Sequence, residues 1–356
     1  FELPWVSASS ETLLTGISMN TADLRPGDLF VAMPGLKTHG ANFAQKAKDA
    51  GAVAIVTDSA GAQLVQEVGL PTLLLEHPRS HLGDLAAFVY GNLPGTMPKL
   101  VATTGTNGKT TTVEMTAAAM RAGGLHAIAC GNVGTPVIEV LTAPQFHEYL
   151  IVELSSFQLH WTSTLQLSAA ALLNIDDDHL DWHGNFENYL RAKLKIFNGA
   201  QQVIINGDDP RLHQSIDALL REREITTYTL QVPQYGELGI VEDLLIDRAF
   251  TGAQNVATEL AQLADINPPA PHNVSNALAA AGLARAMGIE PDAISQGLRA
   301  FTPGHHRIEK VAQTNGVTWV NDSKATNPHA AAASLMSTLS AIWIAGGLAK
   351  GAEMAD

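Results

Sequence analysis

The chain has 356 residues, 46% of them hydrophobic, a formal net charge of −14 and one cysteine. That length provides about two or three domains, and no apolar run is long enough for a membrane helix. Basic residues are scattered, which disfavours non-specific nucleic-acid binding, and a single cysteine excludes disulfides within the chain and thiolate zinc sites. The expected setting is a reducing cytoplasm, and the expected state a monomer.

Residues 28–33 and 52–57 read as short strands, and 41–50 and 62–68 as helices, so the first 97 residues predict a small α/β unit. Two prolines and a glycine within 92–98 mark a linker and place a domain boundary near residue 97. The hydrophobic run 99–103 then enters Gly105-Thr106-Asn107-Gly108-Lys109-Thr110-Thr111, and 110–121 continues with apolar positions at helical spacing. Strand, glycine loop and helix are the context of a phosphate-binding P-loop. Backbone N–H groups turn onto an anion, the helix start adds a favourable dipole, Lys109 reaches the outer phosphates and Thr110 holds Mg²⁺. The match is GxxGKT only, since Thr103 stands where the first glycine of the longer form would be. A ligand-free glycine turn is the plain alternative, and the loop alone admits a kinase, a GTPase or an ATPase.

Buried-strand candidates at 127–129, 149–153, 169–175 and 202–206 alternate with helices or loops, which predicts a mostly parallel sheet with ligands beyond its carboxyl ends. Polar residues gather there. Glu153 ends an apolar strand and either faces a metal on Thr110 or is a solvated rim residue. The 176–183 loop, with four aspartates, His179 and His183, is either a cation site or an acidic helix cap. Zinc on the two histidines is one reading, but carboxylates beside a phosphate loop favour magnesium or manganese. Lys193 alone reads as a solvated helix charge, Asn273 as the cap of a helix over 274–287, and Arg307 as a surface strand residue. Strands at 306–312, 317–321 and 341–345, with a helix at 328–336, open a third segment near residue 305. About fifty residues are few for an independent α/β domain, so a partial, Rossmann-like domain is expected.

Several strings in order carry a family resemblance: Gly105 to Thr110, Glu153-Leu154-Ser155-Ser156-Phe157-Gln158, residues 174–181, Ala192-Lys193-Leu194-Lys195-Ile196, Asn206-Gly207-Asp208-Asp209, and His306-Arg307. From about residue 99 onward the chain resembles the Mur ligases, which use ATP to convert a carboxylate to an acyl phosphate that an amino-acid amine then attacks. Residues 153–159, the Gly131-Asn132-Val133-Gly134 turn and residues 321–327 are most similar to the branch that adds D-glutamate to UDP-N-acetylmuramoyl-L-alanine in peptidoglycan precursor synthesis. Residues 17–21, 25–32 and 51–56 resemble instead the N-terminal domain of the MurE and MurF branches.

The resemblance implies a three-domain α/β architecture: a UDP-substrate domain over 1–97, a central ATP-binding P-loop domain over 98–304, and a partial amino-acid-binding domain over 305–356. It implies catalytic roles for Lys109, His179 and Lys193, with Lys193 carbamylated by CO₂ to help hold a second magnesium. Thr110 and Glu153 match the first metal site, and His179 the second, with Asp178 as orienting support. ATP contacts are implied for Gly105 to Thr111, Asn273, Arg307 and Asp322. Substrate contacts are implied for Lys324, Thr326 and Lys350 around the amino acid and phosphate, for Asn132 at the sugar-peptide, and for Asn20 and Thr21, with Gly35 and His39, at the UDP end. Trp182 and His183 fall outside the site. A MurE-like ligase adding the third peptide residue, a folate-polyglutamylating relative, and a Mur-like module acting as a non-catalytic or amidotransferase partner are the alternatives. A partial third domain would leave substrate binding with weak ligation.

Overall fold

In the first unit, β1 (Gly16–Ser18), β2 (Asp28–Val31), β3 (Ala54–Thr57) and β4 (Thr72–Leu74) lie in sequence order in one parallel sheet. β2 and β3 are buried along their whole length, which demands cover on both faces. Helices α1 (Ala44–Asp49) and α2 (Ser59–Val65) supply one side, where Ala47 and Val65 pack with Phe30 and Ile55. Helix α3 (Leu82–Tyr90) supplies the other, where Leu85 joins Leu29, Val31 and Val56. α2 begins earlier than its hydrophobic pattern suggests, because Asp58 caps it by accepting from Gly61 N at 2.8 Å. This computed structural model describes residues 12–35, 37–91, 97–132, 134–221, 223–326, 328–336 and 340–346. Phe1–Met97 and Pro98–Asp356 form two units, each taken by itself.

The second unit alternates strand and helix. β5 (Lys99–Thr104) leads to α4 (Lys109–Ala122), β6 (Ala127–Gly131) to α5 (Val137–Thr142), and β7 (Tyr149–Glu153) to α6 (Ser156–Trp161). β8 (Leu167–Leu172) is followed by α7 (Leu180–His183) and α8 (Phe186–Leu194), and β9 (Ala200–Asn206) by α9 (His213–Leu220). Four strands that the sequence pattern did not predict follow: β10 (Thr226–Tyr228), β11 (Glu237–Val241), β12 (Leu244–Asp247) and β13 (Thr258–Gln262). The sheet order is β13-β12-β11-β10-β9-β8-β5-β7-β6. Every neighbour from β6 across to β11 is parallel, while β12 and β13 extend it antiparallel.

One face of this sheet is covered by α4, α10 (Pro271–Ala286) and α11 (Pro291–Ala300), with Met115, Met120, Leu278 and Leu298 in the core. α10 is rich in small residues and buried along most of its length, so helices and sheet approach it closely. The opposite face is covered by α6 and α8, with Leu159, Tyr189, Leu190 and Phe197 packed against β7, β8 and β9.

Beyond α11 come the antiparallel pair β14 (Glu309–Thr314) and β15 (Val317–Asn321), and α12 (Pro328–Leu335). β14 starts later than the expected 306–312, because His306 and Ile308 have φ of +68° and +50°, outside strand geometry. Residues 341–345, expected as a strand, have no ladder, and Ile342 and Ile344 are exposed.

The crossing of α11 over α4 depends on Gly297. A Cβ there would collide with the backbone of Ala118 and Ala119. Gly297→Val is expected to lower unfolding free energy by about 1–3 kcal/mol, read as a lower urea midpoint at unchanged slope. Gly304→Ala, where a Cβ meets open space, should stay within about 0.5 kcal/mol of the parent.

Candidate active site at the carboxyl ends of the central strands

β7 and β8 flank β5 on opposite sides, so the chain reverses direction across the sheet here and leaves a crevice at the carboxyl ends. The glycine loop leaves β5 into this crevice. Gly108 opens α4 with φ +82°, and a Cβ on it would run into Asn276 Oδ1 of α10. Both facts require glycine. Asn107 is gripped by Asn174, which accepts from Asn107 N at 2.8 Å and donates to its carbonyl at 3.1 Å. Thr106 Oγ1 accepts from Asp176 N at 2.9 Å and lies 3.1 Å from Tyr189 Oη.

Lys109 is half-buried and folds back along the loop, donating to the carbonyls of Gly105 at 3.0 Å and Thr106 at 2.9 Å. Burial pushes its pKa down, against the opposing pull of Glu153 and Asp178. Glu153 is only 2% exposed, so it is no solvated rim residue. Its Oε2 accepts from Thr110 Oγ1 at 2.7 Å and its Oε1 from Asn132 Nδ2 at 3.0 Å. Thr110 Oγ1 in turn accepts from Arg307 Nη2 at 2.8 Å.

Lys193 corrects the reading of a solvated helix charge. It is 2% exposed, donates to Gly105 O at 2.7 Å, and sits 4.8 Å above the Tyr189 ring. Burial, and then the neighbouring Lys109, holds its pKa well below the lysine range, which favours the neutral amine.

The two histidines of the acidic loop part company. His179 takes a left-handed conformation at the start of α7, packs on Phe157 at 4.8 Å and lies 3.6 Å from Asp178 Oδ2. His183 is buried and engages Ser156 Oγ at 3.0 Å, which removes it from a zinc pair with His179. Among the described residues no group of three or more His, Cys, Asp and Glu is placed to hold a metal. Thr110 and Glu153 instead offer hard oxygen donors, a set that suits Mg²⁺, which habitually completes its shell with phosphate oxygens and water.

The other predicted residues each have local partners or surroundings of their own. Asn273 lies inside the first turn of α10 rather than at its cap, donating to Pro268 O at 3.2 Å. Asp322 Oδ1 accepts from Ile308 N at 3.1 Å, while Lys324 and Thr326 are exposed and Lys350 lies outside the described residues. In the first unit, Asn20 shapes a turn with Ala22 N and Asp23, and Thr21 is half-buried. Gly35 N donates to Thr38 O at 3.0 Å, and His39 bonds Ala41 N and Asp58.

Asn174, Tyr189 and Asn276 are the supporting residues that sequence reasoning missed. Asn276 had a signal, since it stands three positions after Asn273 on one helix face. Asn174 and Tyr189 act through tertiary contacts that no local pattern reports.

The description "Mur ligase middle domain" matches residues 103–284, and "Mur ligase family, catalytic domain" matches residues 13–90. A UDP-N-acetylmuramoylalanine--D-glutamate ligase of Thermobifida fusca is 54% identical over 258 residues, covering 71% of this chain and 56% of its own length. One of Nocardia farcinica is 36% identical over 369 aligned positions, covering 94% of this chain and 75% of itself. The chain thus spans a little over half the length of the first of these relatives. Among solved structures, MurF from Acinetobacter baumannii matches with TM-score 0.68 at 21% identity, covering 91% of this chain and 71% of that one. MurF from Thermotoga maritima in complex with ADP matches with TM-score 0.64 at 21% identity, covering 92% and 75%. These two likenesses concern the fold alone. A middle-domain match across half the chain, and a relative sharing more than a third of its residues along nearly all of it, identify the chain as a member of the Mur ligase family.

Proposed function

We propose that the chain catalyses ATP-dependent amide formation, joining D-glutamate to UDP-N-acetylmuramoyl-L-alanine, as a monomer in the cytoplasm. The observation that carries this reading is Lys193 buried against the carbonyl of Gly105, a second amine at a phosphate loop that already has Lys109. A simple phosphatase or kinase loop has no evident use for it. The substrates follow from the two relatives, both UDP-N-acetylmuramoylalanine--D-glutamate ligases.

The division of labour follows the expected segments. Residues 1–97 hold the UDP end through Asn20 and Thr21, 98–304 hold ATP, and 305–356 contribute to the amino-acid pocket through Lys324, Thr326 and Lys350. ATP phosphates lie along Gly105 to Thr111, with Asn273, Arg307 and Asp322 toward the rest of the nucleotide. Lys109 exchanges its loop carbonyls for phosphate oxygens. The substrate carboxylate attacks the γ-phosphorus, ADP departs, and the acyl phosphate is attacked by the amine of D-glutamate. The tetrahedral adduct collapses to an amide and phosphate. Activation is required because a carboxylate resists nucleophiles, and the anionic encounter requires charge neutralisation. Thr110 and Glu153 would hold one Mg²⁺ and His179 with modified Lys193 a second, supplying that neutralisation. Asn132 keeps Glu153 oriented and reaches the sugar-peptide.

Lys193 reacts as the neutral amine: its nitrogen bonds to the carbon of CO₂ and one N–H proton is released, so that a neutral amine becomes an anionic carbamate. With ¹³C-bicarbonate, the protein should show a carbamate carbonyl resonance in ¹³C NMR that Lys193→Ala removes. Identical spectra for parent and variant would remove this modification from the scheme.

Mass spectrometry of products from a panel of amino acids with UDP-N-acetylmuramoyl-L-alanine should find the D-glutamyl adduct, with phosphate release that depends on D-glutamate. Lys109→Ala should lower that rate by about 10²–10³-fold. Incorporation of a different amino acid in place of D-glutamate would refute the substrate assignment.

A further inference from the structure

The contact between Arg307 and Thr110 joins two places far apart in sequence, and it falls on the hydroxyl assigned to the metal. Thr110 Oγ1 donates to Glu153 at 2.7 Å and receives Arg307 Nη2 at 2.8 Å. The guanidinium is a permanent cation, and it bonds the very hydroxyl that in turn bonds the buried carboxylate a divalent ion would use. The amines of Lys109 and Lys193 and the carboxyl groups of Glu114 and Asp178 are the other ionisable groups around this site. A divalent ion beside Thr110 would stand within a few ångströms of Arg307 in a water-poor crevice, where like charges repel strongly.

The backbone that carries Arg307 is tied to the β14–β15 hairpin. His306 N donates to Glu309 Oε2 at 2.8 Å, Ile308 N to Asp322 Oδ1 at 3.1 Å, and Lys324 N to His306 O at 3.1 Å. The His306 ring lies 2.7 Å from Asn321 Nδ2. His306 and Ile308, on either side of Arg307, both have left-handed backbones, a conformation that persists only where surrounding bonds impose it. The guanidinium therefore sits on a bracket fixed to the hairpin.

We propose that Arg307 is a cationic latch that fills the metal position beside Thr110 and Glu153 before magnesium arrives, so that metal loading displaces it and releases the β14–β15 hairpin. This rests on the metal reading given above. Coupling of this kind is reciprocal: what docks the hairpin weakens metal binding, and metal undocks the hairpin. Arg307 is thereby a positioning residue for the hairpin as well as a nucleotide contact.

The test uses the whole chain, without nucleotide, and Mn²⁺ as the probe. Mn²⁺ affinity is followed by electron paramagnetic resonance, and amide exchange across residues 309–321 by mass spectrometry. Arg307→Gln should bind Mn²⁺ at least about fivefold more tightly than the parent, and Arg307→Lys, which keeps the charge, should stay near the parent. Mn²⁺ should accelerate exchange in the hairpin of the parent and leave the Gln variant, already released, unchanged. Equal or weaker Mn²⁺ binding by Arg307→Gln, with parent binding that Glu153→Gln abolishes, would sink the latch and leave the metal site standing. A parent that binds no Mn²⁺, or whose binding ignores Glu153→Gln, would overturn both.

Discussion

A carboxylate buried at the end of β7 sets the terms for everything near it. Glu153 is almost wholly removed from water, and an ionised group so placed is tolerable only with hydrogen bonds and opposing charge. Thr110 and Asn132 each satisfy one of its oxygens. The charge is answered by three basic residues, but not equally. Burial depresses both Lys109 and Lys193, Lys193 the further, whereas the guanidinium of Arg307 stays charged. The crevice thus combines a buried carboxylate, a guanidinium and two amines whose protonation its own burial opposes. Such a set suits an added phosphate, whose negative charge would be met by the loop N–H groups, the amines and the guanidinium.

Holding that set in place is the task of residues that have no chemistry of their own. Asn174 grips the backbone of Asn107 from the end of β8, Tyr189 reaches Thr106 from α8, and Asn276 of α10 leaves no room for a side chain at Gly108. They come from different elements, so the loop is fixed by the sheet and by helices on both of its faces. Preorganised donors cost nothing to orient when charge develops, which is the physical reason for building a phosphate site this way. The same logic explains why Gly297 matters far from the crevice. The α4–α11 crossing seats the helix whose first turn is the loop.

The parts of this arrangement that were readable from the sequence are those encoded locally. A strand, two glycines, a lysine and a threonine fix a phosphate loop within a few residues, and β5, α4 and β7 fall close to their expected positions because their apolar runs are continuous. Lys193 was not readable on physical grounds. Its helix has an ordinary amphipathic pattern, and only the approach of Gly105 from β5 turns a lysine into a buried amine. His183, four residues from His179, has metal-ligand spacing, but it was expected outside the site, and its ring engages Ser156 instead. β10 to β13 were missed because they are short and interrupted by turns, with their pairing set by neighbouring strands rather than by their own periodicity.

The chain has separate hydrophobic cores in its two units. Phe30, Ile55 and Leu73 close the first unit without help from the second, and Lys109, Thr110, Glu153 and Lys193 all belong to the second. A domain with its own core can change its surface, or be replaced, without disturbing packing elsewhere. The phosphate loop, the buried carboxylate and the amines around it all lie in the second unit. Substitutions on the surface of the four-stranded sheet and in its loops can therefore accumulate while leaving the packing around the crevice untouched.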